Sequence, residues 1–314
     1  MMKILKHSLF TSVVNKMRLI HHQDDTAKLS LLITGMSGTG KSTLVDWYEQ
    51  QYPVEYTPEV TLKRVICVHL TKPNSPINLL EQIINAMGTS YIPRRRTLNK
   101  LLHQLKCLLE ACQTELIILD EAQECLPDSD GIKAQSMAKA FVAIIDKCNV
   151  PLILIGTPAL KRLLKLKYLA DVKNISREEQ LSRRFIAPCQ LNIFLSHCDA
   201  WVNVINFFGK TKGLRNLNTK DADILDRLYV ATYGRIGLIK KLFAFTQLNE
   251  TSDLQATFYD AYELVDTTGE ANPFNQQDYT YAAIIKKAEN IERIYFTHNK
   301  THPSEKRVAD RLFH

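Results

Sequence analysis

The sequence predicts an α/β fold: a parallel sheet covered by helices, followed by a smaller all-helical part. Three observations carry that expectation. Short apolar, often β-branched runs recur at 29–33, 65–70, 116–119 and 151–155. Segments with helical periodicity separate them, the pattern of parallel strands joined by helical crossovers. After residue 190 such runs give way to apolar residues at helical spacing.

The elements follow in order. Residues 1–28 read as an N-terminal extension or first helix, with Val13, Val14, Met17, Leu19 and Ile20 on one face. Leu29–Ile33 reads as a buried strand, halted by Thr34 and Gly35, and a helix starts at Ser42. Pro53 and Pro58 mark a connecting loop before the second strand, Val65–Leu70. A helix with Ile77, Leu80, Ile83 and Ile84 runs to Gly88, and an amphipathic helix with Leu98, Leu101, Leu102, Leu105, Leu108 and Leu109 follows. The third strand, Leu116–Leu119, ends in Asp120 and Glu121. Residues 134–148 form a helix, and the fourth strand, Pro151–Ile155, closes with Gly156, Thr157 and Pro158.

The α/β domain is therefore expected over 29–190 and a small helical domain over 191–268. Its helices centre on Trp201–Phe208, Ile224–Tyr229 and Ile236–Phe245. Residues 269–277 read as a linker. The C-terminal tail, 269–314, holds one candidate helix, Ala282–Ile291, and a candidate partner-docking segment from Asn272, Pro273 and Phe274 onward.

Composition sets broad limits. Across 314 residues the chain is 45% hydrophobic and 23% charged, as in globular proteins generally. No apolar run approaches the roughly 20 residues that cross a bilayer. The start, MMKILKHSLFTSVV, lacks a small-residue cleavage site, so no signal peptide is expected. Seven cysteines, odd in number and without a C-x-x-C pair, read as reduced core thiols of a cytoplasmic protein. No Cys/His/Asp set has metal-ligand spacing, the adjacent His21 and His22 included. A net charge of +7 permits nucleic-acid binding without requiring it.

The chemistry concentrates in the loop after the first strand. It matches G-x-x-x-x-G-K-[ST] with Gly35, Gly40, Lys41 and Ser42. Glycines let backbone N–H groups turn inward around a phosphate, and the new helix aims its positive dipole end there. Gly35, Ser37, Gly38, Thr39, Gly40, Lys41, Ser42 and Thr43 are the nucleotide-binding candidates. Lys41 would reach the β- and γ-phosphates of ATP, and the Ser42 hydroxyl would bind Mg²⁺. Leu116–Glu121 is the second signature. A buried strand delivers Asp120 to the metal, and Glu121 can deprotonate a water for attack on the γ-phosphate. Thr157 ends the fourth strand where a polar side chain can bond that phosphate or water. Arg183 and Arg184 lie where a neighbouring subunit's nucleotide could be approached, and a guanidinium inserted there stabilises developing charge.

These motifs, in this order and spacing, resemble AAA+ ATPases. DEAQE at 120–124, IGTP at 155–158 and SRRF at 182–185 are more narrowly similar to the TniB/TnsC family, regulators of Tn-seven-like bacterial transposons. The resemblance covers roughly residues 15–275. It implies a five-stranded parallel sheet in the order 5-1-4-3-2, a helical lid and ATP hydrolysis, expected to be slow because the chain departs from the family at the second sensor. It also implies homo-oligomeric rings or filaments on duplex DNA, with a transposase and a target-selection protein as partners. Under it Asp120 is the metal partner, Glu121 the base and Thr157 the first sensor. Arg184 is the first finger candidate and Arg183 the second. The family's second-sensor arginine is absent: Gly237 stands at that spacing after Gly234, with Arg235 or Lys240 as substitutes.

In such a ring Arg94, Arg95, Arg96 and Lys100, with Lys133 and Lys139, would meet DNA phosphates independently of sequence. Lys161, Arg162, Lys165, Lys167 and Lys173 would lie at a subunit interface. Two other functions are compatible with the same core: a helicase loader or replication initiator, and an ATP-gated scaffold with negligible hydrolysis. An initiator usually carries a winged-helix domain after the lid, for which the residues beyond Asn275 are too few.

Overall fold

A computed structural model of the chain describes residues 7–24, 28–88, 96–128, 131–166, 181–246 and 253–299. It divides into two units: one chiefly Leu9–Met36 with Lys41–Leu191, the other chiefly Ser37–Gly40 with Asn192–His314.

In the first unit, β1 (Leu31–Thr34), β2 (Val65–His69), β3 (Leu116–Asp120), β4 (Leu152–Gly156) and β5 (Cys189–Gln190) form one sheet. The order is β2-β3-β4-β1-β5 and every pairing is parallel. This is the expected 5-1-4-3-2 order read from the opposite edge. Because β1, β3 and β4 are buried at every residue, they are apolar on both faces rather than alternating. Alternate side chains still divide between two layers. Leu32, Ile66, Ile117, Leu119, Leu152 and Leu154 join one core cluster with α3 (Pro76–Ala86), α4 (Leu98–Ala111) and α5 (Ile132–Cys148). Leu31, Ile33, Leu116, Ile118, Ile153 and Ile155 join the other with α1 (Ser8–His21) and α2 (Lys41–Glu49).

Local chemistry sets the helix ends. Ser75 caps α3 by accepting from Asn78 N–H, with Pro76 at the first turn. Thr97 does the same for α4 through Lys100 N–H. Asn149 stops α5 in the left-handed region, φ 53°.

Of the two forms expected for the N-terminal stretch, the first helix is found over Ser8–His21, where α1 buries Phe10, Val13, Val14, Met17 and Ile20 in the first unit's core. Two expectations are corrected here. Leu19, placed on that buried face, is 65% exposed. The loop around Pro53 and Pro58 contains a short antiparallel ribbon, Glu55–Tyr56 against Thr61–Leu62.

The second unit contains α6 (Asp199–Lys210), α7 (Ala222–Thr232), α8 (Ile236–Ala244), α9 (Leu254–Val265) and α10 (Tyr281–Asn299). Helix α9 had no counterpart in the sequence reading, and α10 outruns the expected Ala282–Ile291. The expected linker at 269–277 is also corrected. Phe274 is buried and stacks on Phe258 at 5.6 Å, and Asn272 Nδ2 donates to Tyr259 O and Glu263 Oε1. The buried Arg227 donates to Pro273 O at 2.6 Å and to Tyr279 O. Polar composition suggested a mobile connection, but a buried guanidinium must be bonded, and this segment's carbonyls serve it. Asn272–Phe274 is thus packed inside the helical unit, and residues 300–314 of the expected docking segment lie outside the described residues.

Candidate nucleotide site

Parallel register brings the loops after β1, β3 and β4 to one edge of the first unit's sheet, as in α/β folds that bind ligands beyond the strand carboxyl ends. Gly35 N–H donates to Gly156 O, closing the β1 and β4 ends together. Gly38 and Gly40 have φ of 81° and 95°, a region that side chains rarely enter, so the loop needs glycine at both. Lys41 opens α2. Its ammonium is buried and donates to Met36 O at 3.0 Å. Burial pulls Lys41 below its usual pKa, and the nearby Glu121 and Asp120 carboxylates oppose that shift.

Ser42 Oγ donates to Asp120 Oδ2 at 3.0 Å, while Asp120 Oδ1 accepts from Glu121 N–H at 2.9 Å. Asp120 is 3% exposed. A hydroxyl and a carboxylate side by side are hard oxygen donors, the set that suits Mg²⁺. Among the described residues no cluster of three or more His, Cys, Asp or Glu could hold a metal.

Glu121 occupies the left-handed region, φ 53° and ψ 35°, an uncommon conformation for a side-chain-bearing residue. Its carboxylate accepts from Gln123 Nε2, and Gln123 Oε1 accepts from Thr157 N–H at 3.0 Å. His69 Nδ1 lies 3.6 Å from Asp120 Oδ2. An open cleft of about 430 Å³ beside these acids is lined by His69, Leu70, Thr71, Lys72, Glu121 and Glu124. The sequence reading missed the parts of Gln123 and His69. Gln123 lay within the DEAQE motif, and His69 faces Asp120 because β2 and β3 pair residue for residue.

The remaining candidates are dispersed. Arg184 donates through Nε and Nη2 to Asp146 of α5, both at 2.6 Å, so its guanidinium is committed within its own chain. Arg183, ranked second from the sequence, is the more exposed of the pair. Arg94 and Arg95 lie outside the described residues, as do Lys167 and Lys173. Arg96 pairs with Glu81 at 3.0 Å. Lys100, Lys133 and Lys139 are exposed, on α4 and α5. Lys147 near the end of α5 bonds Asn99 in the first turn of α4, so Lys133 sits about 20 Å along α5 from Lys100's end of α4. Lys133 and Lys139, six residues apart on α5, stand about 120° apart around its axis, so these lysines are dispersed rather than clustered. Lys161 donates to Gln190 Oε1 and Arg162 to Pro127 O, both within the first unit.

In the second unit, Ser37–Gly40 pack with the start of α8. Gly237 N–H donates to Gly38 O at 2.7 Å, and the space beside Gly38 is filled by the Arg235 stem. Arg235 Nε is buried and has no hydrogen-bond partner among the described residues, and its guanidinium lies 5.5 Å from the Tyr233 ring centre. Lys240 is exposed.

The family model that matches this sequence is the AAA domain, over residues 23–164. Those residues form an AAA-type P-loop ATPase domain. Solved structures share its fold. The Walker-type ATPase of Pyrococcus abyssi aligns at 13% identity and a TM-score of 0.51, covering 98% of this chain and 77% of that one. The ORC2 protein of Aeropyrum pernix, in its ADPNP-ADP complexes, aligns at 14% identity and 0.56, covering 86% and 71%. Cdc6p of Pyrobaculum aerophilum aligns at 14% and 0.51, covering 78% of this chain and 62% of its own length. Comparison with curated proteins finds no match.

Proposed function

We propose that the chain is an ATP-dependent switch of the TniB/TnsC kind, which oligomerises on duplex DNA and links target selection to a transposase. The observation that carries its ATPase core is the bonded set Ser42–Asp120–Glu121, joined through Gln123 to Thr157. In this reading Lys41 binds the β- and γ-phosphates, and Ser42 and Asp120 hold Mg²⁺. That ion, when bound, neutralises phosphate charge. Glu121 takes the proton of the attacking water, and Thr157 senses the γ-phosphate. Arg183 of a neighbouring subunit is better exposed than Arg184 to complete the site. The transposon assignment rests on the DEAQE, IGTP and SRRF motifs. The exposed Lys100, Lys133 and Lys139 supply phosphate contacts.

The test is phosphate release and particle size for the full chain with Mg²⁺ and ATP, with and without duplex DNA. DNA-stimulated, slow turnover and DNA-length-dependent assemblies with a slowly hydrolysed analogue are expected. Assembly indifferent to nucleotide would overturn the switch. Replacing Lys100, Lys133 and Lys139 together by Ala should reduce the salt slope of DNA affinity by up to about three, one per lost phosphate contact. ATP-dependent capture of an integrase-type transposase supports the transposon assignment. Capture of a replicative helicase instead would favour a loader or initiator, and undetectable turnover a scaffold.

A further inference from the structure

Gln123 joins the two groups that bracket the reacting phosphate in this reading. Among the described residues its side-chain bonds go to Glu121, through Nε2, and to Thr157 N–H, through Oε1. The amide orientation follows from its partners, since a carboxylate only accepts and a backbone N–H only donates. The fold makes room for this tie. A Cβ at Gly156 would fall on Gln123 Oε1 and come within 3.3 Å of Gln123 N. The left-handed backbone at Glu121 turns the chain straight from β3 into the Ala122–Cys125 turn that carries Gln123.

The consequence is chemical. A hydrogen bond donated to the Glu121 carboxylate fixes where it points and occupies an acceptor site that an attacking water would otherwise use. The same amide is held at its other end by the β4 turn, so movement of Thr157 pulls on the bond that restrains Glu121. We propose that Gln123 is a positioning residue that restrains the Glu121 carboxylate and makes its release depend on the Thr157 turn. The proposal rests on Glu121 being the general base.

The test compares Gln123→Ala and Gln123→Glu in the full chain, with steady-state phosphate release measured against ATP concentration in Mg²⁺ and without DNA. Both variants remove the donor to Glu121, but Gln123→Glu keeps an acceptor for Thr157 N–H. Restraint predicts that kcat rises roughly three- to tenfold in both, with KM for ATP unchanged. Wild-type or lower kcat in both overturns it. A fall in Gln123→Ala with wild-type turnover in Gln123→Glu also overturns it, since Gln123 then merely supports the turn. Nucleotide affinity and thermal unfolding identify a variant that fails to fold, and the other variant then carries the test. Glu121→Gln is assayed alongside. Undiminished turnover there removes Glu121 as the base and the proposal with it, a failure visible with Gln123 intact.

Discussion

Glu121 shows how much at this site is decided by single side chains. Its strand delivers it, yet its left-handed backbone and its bond from Gln123 set where the carboxylate points. Glu121→Gln should retain ATP binding and lower turnover at least about a hundredfold, the scale of losing a positioned base. It should also trap DNA-bound assemblies, visible by sedimentation with ATP. Lys41→Ala removes a buried ammonium poised for phosphate. Fluorescent-nucleotide titration should show a loss of about 1.5–3 kcal/mol of affinity, and nucleotide-dependent DNA binding should vanish. Lys41, Ser42, Asp120 and Glu121 were legible because their spacing is dictated by phosphate and metal chemistry. Gln123 was not, because its role exists only once β3 and β4 lie side by side.

At the scale of elements, the four long strands and α2–α5 were readable from hydrophobic period, while the caps Ser75 and Asn149 that limit α3 and α5 emerged only in the fold. The two-residue β5 is too short for any pattern and is held by pairing with β1. Helix α9 escaped because only Phe258, Ala261 and Tyr262 of its residues are buried. The arginine pair shows the same limit. The sequence ranks Arg184 ahead of Arg183 by its place before Phe185, whereas in the fold α5 places Asp146 to claim Arg184. Arg183→Ala should abolish the rise in turnover that accompanies assembly. Arg184→Ala should cost up to about 1 kcal/mol, as partly exposed pairs do. Turnover against protein concentration, with urea unfolding of each variant, separates the two.

For the whole molecule, the C-terminal segment and pH are the informative variables. Removing residues after Gln277 deletes α10, whose Ile284 and Ala288 are buried and whose Tyr281 hydroxyl donates to Asp226. The truncated chain should lose stability and become protease-sensitive in its helical unit, rather than lose partner binding alone. Limited proteolysis followed by mass spectrometry reads this directly. His21 is buried between the Tyr48 hydroxyl and the Glu115 carboxylate. Burial first, then His22, lowers its pKa from 6.5 to about 4, and burial does the same to His7. The unfolded chain therefore binds protons that the folded one refuses. Stability should be full above about pH 6.5 and fall as pH drops towards 4. His21→Gln should flatten that fall in thermal midpoints measured between those limits.

By itself the sequence determined the sheet's composition, the phosphate loop and the acidic pair, because each is written in contiguous residues whose types answer to local chemistry. It also carried the motifs behind the proposed transposon role. Only the tertiary structure decided that Gln123 ties Glu121 to Thr157, that Arg184 is held at home, and that Asn272–Phe274 belong to the helical unit. Each of these is a bond between segments distant along the chain or brought together by a fold in it. Such bonds leave no period or spacing in the sequence, since either partner alone reads as an ordinary polar or solvated residue.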